Sequence, residues 1–376
     1  MPAPTARAPA AASDPIERVT TLELFFDLVF VFTITQLTVV LVEEATWTSL
    51  WHVGVMLALI FWMYDGYAWL TNAVPARGPR RQVLLLGGMA GYLVVSIAIP
   101  GAFDGDGLTF GLALLVITAI HAWLFLRSAG EGSSAAMRRL APMNLAAALV
   151  IVAAGAVGGD VQAVAWTAVA LLEWFAFRVE AGFELGPAHF VERHGLLVIV
   201  AIGESVVAIG IGAGSRSVDA GLVAIVTLGL ALCAGLWWTY FGGDEEVAAE
   251  RAMTAVQGPE RARMALVGYG YAHYGVLLGV ILTAVGIEAA VAHPSEHLYT
   301  AQALALCGGV ALFLGADAWF RSVLGLGRGA RRLVAALAVL LAVPVGTTAS
   351  AAAGLAATTL LLTGALALEG RSPAAA

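Results

Sequence analysis

The sequence predicts an all-α membrane protein, a polytopic bundle of about twelve spanning helices built as two parallel six-span repeats. Of the 376 residues, 60% are hydrophobic and only 12% are charged, whereas a soluble domain carries roughly 25% charged residues. Apolar stretches of about 20 residues, long enough for a hydrocarbon core of about 30 Å, recur along the whole chain. The arginines fall in alternate loops between these stretches. Together these three observations put most of the chain in the bilayer.

Twelve apolar segments account for most of the sequence, and short polar loops separate them. The predicted spans are 21–42, 51–73, 82–100, 107–126, 141–158, 161–177, 195–213, 220–241, 264–287, 301–320, 331–348 and 351–368. Glycine and proline occur inside several of them, as membrane helices tolerate. The Ala- and Pro-rich residues 1–16 are expected to form a disordered tail, and residues 370–376 a C-terminal tail. We expect no cleaved signal peptide, because no small-residue cleavage site follows the first span.

Positive charge lies almost entirely on one side of the predicted bundle. The 19 basic residues are all arginine, and every one except Arg216 falls in a tail or loop on the side that also holds both termini. Cytoplasmic loops carry the excess of basic residues in membrane proteins. The sequence therefore predicts a multi-pass protein of the bacterial cytoplasmic membrane with both termini in the cytoplasm.

Short motifs recur in the same order in the two halves of the chain, which predicts an internal duplication. The pairs are Glu17-Arg18 with Glu192-Arg193, Trp62-Met63-Tyr64 with Trp238-Thr239-Tyr240, Gly78-Pro79-Arg80 with Gly258-Pro259-Glu260, Ala122-Trp123 with Ala318-Trp319, and Arg138-Arg139-Leu140 with Arg331-Arg332-Leu333. The repeats are then 17–180 and 181–369. Because each has an even number of spans, a pseudo-two-fold axis along the membrane normal relates them. Such an arrangement places a pathway between the halves, or else simply enlarges a helical scaffold.

Several classes of function lack their required residues. Without lysine the chain has no Schiff-base chemistry and no Walker A loop. It has no HExxH or GxSxG motif, and Cys233 and Cys307 lie far apart in apolar runs as small core residues. We expect no enzyme activity, no cofactor, no metal and no nucleic-acid partner. The expected partners are the lipid bilayer and a small solute or ion, and a homo-oligomer is left open.

Ionisable residues at membrane depth are the candidate functional residues, because they are costly to bury there. Asp27 in the first span and Glu204 in the seventh are the leading candidates for ion binding or transport. The others are Glu23, which shares a helical face with Asp27, and Asp65, Ser205 and Asp317; His121, Glu173 and His273 also fall inside spans.

The alternative for these carboxylates is a structural one, in which arginines pair with them and lock the helices together. Arg18 and Arg193 are the expected charge partners of Asp27 and Glu204, and Arg178 is the expected partner of Glu173. Four other ionisable residues fall at a depth similar to that of Asp27, which allows one shared polar layer: Asp65, His121, Glu173 and Asp317.

Two motifs resemble the signatures of the bacterial low temperature requirement A family. They are Glu-Leu-Phe-Phe-Asp-Leu-Val-Phe-Val-Phe-Thr-Ile-Thr-Gln-Leu at 23–37 and Glu-Arg-His-Gly-Leu-Leu-Val-Ile-Val-Ala-Ile-Gly-Glu-Ser-Val-Val-Ala-Ile-Gly at 192–210. The resemblance implies a bacterial inner-membrane protein but no particular reaction. The residues that match the family's motif positions are Glu23, Phe25, Phe26, Asp27, Gln36, Glu192, Arg193, Gly203, Glu204 and Ser205.

Residues 25–37 also resemble, more loosely, the first helix of the potassium channels built on a Phe-Ser-Asp motif, which use six-span units. Here Phe26 stands in place of the serine, and the second half carries Gly-Glu-Ser at 203–205 instead of the motif. These departures argue against potassium selectivity, so the likeness is an analogy of fold.

Three hypotheses of function follow from these observations. The leading one is a secondary transporter, proton- or cation-coupled, in which Asp27 and Glu204 occupy equivalent places in two rocking halves. The second is a cation channel lined by the first helix of each half. The third is a membrane sensor or scaffold for cold or envelope stress that transports nothing.

Overall fold

The computed structural model describes residues 18–74, 78–176, 183, 185–243 and 245–370, and every regular element in these ranges is helical. The predicted tail at 1–16 lies outside these ranges, and so does the predicted C-terminal tail at 370–376 except for Gly370, which ends the last helix. The helices are α1 (Thr21–Glu43), α2 (Trp47–Ala73), α3 (Pro79–Ala98), α4 (Gly107–Ser128), α5 (Glu131–Val157), α6 (Gly159–Ala176), α7 (Pro187–Ala213), α8 (Ala220–Phe241), α9 (Glu245–Ala255), α10 (Gly258–Met264), α11 (His273–Ala292), α12 (Thr300–Leu324), α13 (Gly329–Val339), α14 (Val343–Thr348) and α15 (Ala351–Gly370).

Eleven helical segments of the described chain are long and apolar enough to cross a membrane, so the chain is a multi-pass membrane protein. One of them joins α10 and α11 through a π-helical stretch at Ala265–Ala272, and another joins α13 and α14 through a 3-10 turn. The sixth predicted span is present as helix α6 but is not among the eleven. Asp160, Gln162 and Glu173 lie within its 18 residues and lower its hydropathy.

Two helices begin well before the apolar run that predicts them. Helix α5 begins at Glu131 and α7 at Pro187, against predicted starts at 141 and 195. In α7 the added turns carry polar residues that are buried inside the protein, so hydropathy alone does not count them as part of a span. Glu192-Arg193-His194 therefore lies within a helix, and not at the span boundary that the sequence indicates.

The same order of helix neighbours occurs in both halves of the chain. Helix α1 packs on α3, α3 on α4 and α4 on α5, and in the second half α7 packs on α11, α11 on α12 and α12 on α13. The halves meet where α1 and α2 contact α7 and α11. This interface positions the charged residues described below.

Helices α11 and α12 approach each other closely through glycine. A Cβ atom at Gly309 would lie 2.5 Å from the Thr283 amide nitrogen and 2.8 Å from the Gly279 carbonyl oxygen. The neighbouring Gly308 has nothing within 4 Å of the same position. Close backbone approach of this kind is how membrane helices gain packing without a hydrophobic driving force.

Gly309→Ala is therefore expected to lower the free energy of unfolding by about 1–3 kcal/mol through overpacking. Gly308→Ala, one residue away, is expected to be neutral or to stabilise by up to about 1 kcal/mol, because alanine is the better helix former. Thermal unfolding of the detergent-solubilised protein, followed by size-exclusion chromatography after heating, measures both. Equal effects of the two substitutions would contradict the α11–α12 contact.

Candidate functional site

A buried arginine of the second half lies between two carboxylates of the first. Glu23 and Asp27, four residues apart, project from one face of α1, and Arg193 projects from the second turn of α7. Their exposed fractions are only 3%, 1% and 1%. Glu23 also caps the start of α1, because its side chain and that of Thr20 form a reciprocal capping box.

Arg193 contacts both acids at once. One guanidinium nitrogen lies 3.3 Å from Glu23 Oε1, and the other donates to Asp27 Oδ1 at 3.1 Å. The guanidinium group also lies 5.6 and 5.7 Å from the ring centres of Phe26 and Tyr64. The Tyr64 hydroxyl donates to the same Asp27 Oδ1 at 2.6 Å, whereas Asp27 Oδ2 is buried without a hydrogen-bond partner among the described residues.

The hydrogen bonds around His189 define the charge of this cluster. The Asn72 amide is held by Gly186, donating to its carbonyl oxygen and accepting from its N–H. The Asn72 nitrogen therefore faces His189 Nδ1, at 3.3 Å, as a donor, so Nδ1 accepts and the proton is on Nε2. Nε2 lies 3.1 Å from Glu23 Oε1. With a neutral histidine and both carboxylates ionised, the cluster would carry a net charge of −1.

The next residue of α7, His194, contacts a carboxylate of α2. His194 Nε2 lies 3.1 Å from Asp65 Oδ1, and its Nδ1 lies 2.9 Å from the Phe190 carbonyl oxygen. Nδ1 faces a carbonyl oxygen and therefore donates, and one proton lies between Nε2 and Asp65 Oδ1. Trp69 Nε1 donates to the other oxygen of Asp65 at 3.2 Å. An imidazolium beside a carboxylate, or an imidazole beside a carboxylic acid, leaves this pair neutral overall.

Glu204 lies deeper between the same two helices. Its Oε2 accepts from Thr35 Oγ1 at 2.7 Å, and Thr35 is eight residues beyond Asp27, about 12 Å along α1. The structure therefore does not bring Asp27 and Glu204 to one level, and Arg193 occupies the place opposite Asp27. The Ser205 hydroxyl is fully buried without a hydrogen-bond partner among the described residues.

Asp317 belongs to a different network at the end of the second half. It accepts from Arg321 at 2.9 Å and lies 3.6 Å from Arg332, and both arginines are almost fully buried. Glu245 pairs with Arg321, and Glu369 lies 2.9 Å from Arg332. This network joins α9, α12, α13 and α15, and it does not reach the interface between the halves.

The remaining candidates make fewer contacts with charged side chains. Arg18 is exposed ahead of α1, so Arg193 alone of the two expected arginines lies against Asp27. Glu173 is buried with Oε2 lacking a hydrogen-bond partner among the described residues, and its expected partner Arg178 lies outside them. His273 accepts from Tyr240 at 2.7 Å.

Sequence reasoning missed Tyr64, His189 and His194 at the interface of the halves. No spacing in the sequence links them to Asp27, Glu23 or Asp65, because their partners lie on other helices. The position of His194 beside Arg193 in the second signature motif is the signal that would have indicated it. No three His, Cys, Asp or Glu side chains of the described chain converge on a metal site.

Comparison with known proteins agrees with the sequence motifs. The family model for the bacterial low temperature requirement A protein (LtrA) matches residues 18–367, nearly the whole chain. An uncharacterized protein of Rhizobium meliloti (strain 1021) is 26% identical over 315 residues, which cover 80% of this chain and 76% of the relative. The family match includes both α1 and α7, and with them the whole Arg193 cluster.

Replacing Arg193 by methionine leaves two buried carboxylates without their cation. We expect the free energy of unfolding to fall by about 3–5 kcal/mol, as when one partner of a buried ion pair is removed. Arg18→Met is the matched control, since Arg18 is exposed. Unfolding in mixed micelles with increasing dodecyl sulfate measures both variants. An unchanged midpoint for Arg193→Met would show that the ion pairs do not hold α1 to α7.

Proposed function

We propose a transport function for this chain, which belongs to the bacterial low temperature requirement A family. In this proposal it is a secondary transporter of the bacterial cytoplasmic membrane, without enzyme activity, that moves a small solute or ion coupled to a proton or cation. The observation that carries the proposal is the Arg193 cluster at the interface of the two halves. Ionisable residues buried at membrane depth often mark ion or substrate pathways, and transporters built of two repeats place their sites at the interface between the repeats.

The cluster has an unbalanced charge and an unused acceptor. With both carboxylates ionised, one negative charge is left uncompensated in a buried place, and Asp27 Oδ2 has no hydrogen-bond partner among the described residues. A proton or a monovalent cation at this oxygen would neutralise the cluster. It would also weaken the hold of Asp27 on Arg193, so that binding favours separation of α1 from α7.

Glu204 supplies a second carboxylate along the same interface. It lies between α1 and α7 about two helical turns from Asp27, and Thr35 binds one of its oxygens. In the proposal Asp27 and Glu204 are successive sites for the coupling ion, one near each side of the membrane. The two carboxylates are therefore separate binding sites at different depths, and they do not occupy equivalent positions in two symmetric halves.

The proposed architecture is twelve spans in two parallel repeats, with α6 as the twelfth span. Two independent features support it: the five motifs that recur in order, and the common order of helix neighbours in the two halves. Movement of one repeat against the other would then open the interface that Arg193 closes.

Proton flux in liposomes tests the transport proposal. The purified protein is reconstituted with an internal pH-sensitive dye, and a pH gradient is imposed while potassium and valinomycin clamp the membrane potential. We expect flux above that of protein-free liposomes, and Asp27→Asn and Glu204→Gln are each expected to reduce the initial rate by about tenfold or more, because each removes a proton acceptor.

Glu296→Gln is the matched control, since this carboxylate lies in an exposed loop and its removal leaves the interface intact. Full flux in both Asp27→Asn and Glu204→Gln would rule out the carboxylates as coupling sites. Unitary currents in planar bilayers would identify a channel.

The proposed topology has both termini in the cytoplasm. Fusions of a fluorescent protein that folds only in the cytoplasm are expected to be bright after residue 376 and after Arg251. Alkaline phosphatase, which is active only in the periplasm, is expected to be active when fused at Arg216, on the side with a single arginine. Phosphatase activity at the C-terminus would contradict its proposed cytoplasmic location.

A further inference from the structure

A groove of about 430 Å³ lies between the two halves, and no residue of the Arg193 cluster lines it. Helices α2 and α6 form its wall on the side of the first half, and the π-helical stretch, α11 and α12 form its wall on the side of the second half. Trp51 of α2 and Trp319 of α12 are exposed along it. Because both helices are long and apolar enough to span the membrane, the groove opens toward the lipid.

The polar groups in the wall of this groove are largely used by the protein itself. The Tyr274 hydroxyl donates to the Gly54 carbonyl oxygen at 2.9 Å, and Trp174 Nε1 donates to the Ala58 carbonyl oxygen at 3.3 Å. The Thr167 hydroxyl donates to a carbonyl oxygen of its own helix at 2.7 Å. A polar solute would therefore find few partners here, whereas a hydrocarbon chain gives up no hydrogen bonds on entering.

A second groove, of about 310 Å³, continues along the same two helices. On α12, Trp319 lines the first groove, and Ser322 and Val323 line the second. On the facing helix, Tyr271 lines the first groove and Val267 lines the second. Residues three or four apart lie on one helical face, so the two grooves follow one another along one helix pair, and together they form the boundary groove.

The second groove carries charged side chains that the rest of the described chain does not use. Glu260 and Arg263 line it, both are exposed, and neither forms an ion pair with a described residue. The Ser322 hydroxyl donates to the Trp319 carbonyl oxygen at 2.7 Å, so its own oxygen is free to accept a hydrogen bond. This end of the boundary groove thus offers one cationic donor and two acceptors, one of which is anionic.

These features match a zwitterionic phospholipid. A phosphate group accepts charge-assisted hydrogen bonds from the Arg263 guanidinium group, and a primary ammonium group donates to Glu260 and Ser322. A quaternary ammonium group has no N–H to donate, and Glu260 repels a headgroup of net negative charge. The acyl chain then extends from this charged end along the apolar wall between the halves.

We propose that the boundary groove binds phosphatidylethanolamine, with its headgroup at Glu260 and Arg263 and one acyl chain between the halves. The bound lipid contacts α2 and α6 of the first half and α11 and α12 of the second, so it adds a contact between the halves that the Arg193 cluster does not supply. Binding here does not require the chain to transport anything, so its test is separate from the flux test.

Native mass spectrometry of the purified protein tests the site. The protein is incubated in detergent micelles with equal amounts of phosphatidylethanolamine, phosphatidylglycerol and phosphatidylcholine that have identical acyl chains, and the lipids retained by the protein are counted. We expect phosphatidylethanolamine to be retained over either of the others by about fivefold or more, because only its headgroup satisfies both the donor and the acceptors.

Two variants test the charged end of the boundary groove. Glu260→Gln is expected to abolish the preference for phosphatidylethanolamine over phosphatidylcholine, because the ammonium group loses its anionic acceptor. Arg263→Gln is expected to lower the retention of all three lipids by about threefold or more, because each carries a phosphate group. Arg251→Gln is the matched control, since Arg251 is an exposed arginine of α9 that does not line the groove, and retention should not change.

Thr167→Trp tests the acyl-chain end, because the indole ring would fill the groove between the halves. We expect it to lower the retention of phosphatidylethanolamine by about threefold or more. Thr227→Trp on α8 is the matched control, since Thr227 makes the same hydrogen bond to the carbonyl oxygen four residues earlier and does not line the groove.

Three results would each overturn the proposal. They are equal retention of the three lipids or a preference for phosphatidylglycerol in the wild-type protein, an unchanged lipid preference in Glu260→Gln, and full retention of phosphatidylethanolamine in Thr167→Trp.

Discussion

The buried guanidinium group of Arg193 is the constraint on which the arrangement of the two halves depends. Removing a charge from water costs several kcal/mol even after the surroundings relax, and only well-placed opposite charges repay it. Both of its carboxylate partners, Glu23 and Asp27, come from the other half of the chain. Helices α1 and α7 can therefore bury this arginine only together, which fixes their relative position along the membrane normal.

Much of the fold follows from the sequence because the bilayer restricts it so strongly. Segment length and hydropathy identify eleven of the predicted spans, and the i, i+4 spacing puts Glu23 and Asp27 on one face of α1. Segment length and hydropathy do not predict where α7 starts. Its first turns carry His189, Arg193 and His194, which count as a polar loop unless their partners on other helices are known.

Arginine shows the same limit of sequence reasoning. Counting every arginine as a marker of sidedness treats all of them as equivalent. The structure buries Arg193, Arg321 and Arg332 in ion pairs, at 1–3% exposure, and leaves Arg18 exposed. The difference depends on which helices pack against each arginine, because a carboxylate distant in sequence must meet it. Spacing along one helix predicts shared faces but not such partners.

Because Arg193 and His194 are consecutive residues, their contacts across the interface depend on the same position of α7. Arg193 contacts acids on α1, whereas His194 contacts Asp65 on α2, so one turn of α7 is joined to two helices of the first half. A shift of α7 by a full turn would break both sets of contacts at once, and a small shift would leave buried charges unpaired at a cost of several kcal/mol. The contacts of Arg193 and His194 therefore resist both small and large displacements of α7 against the first half.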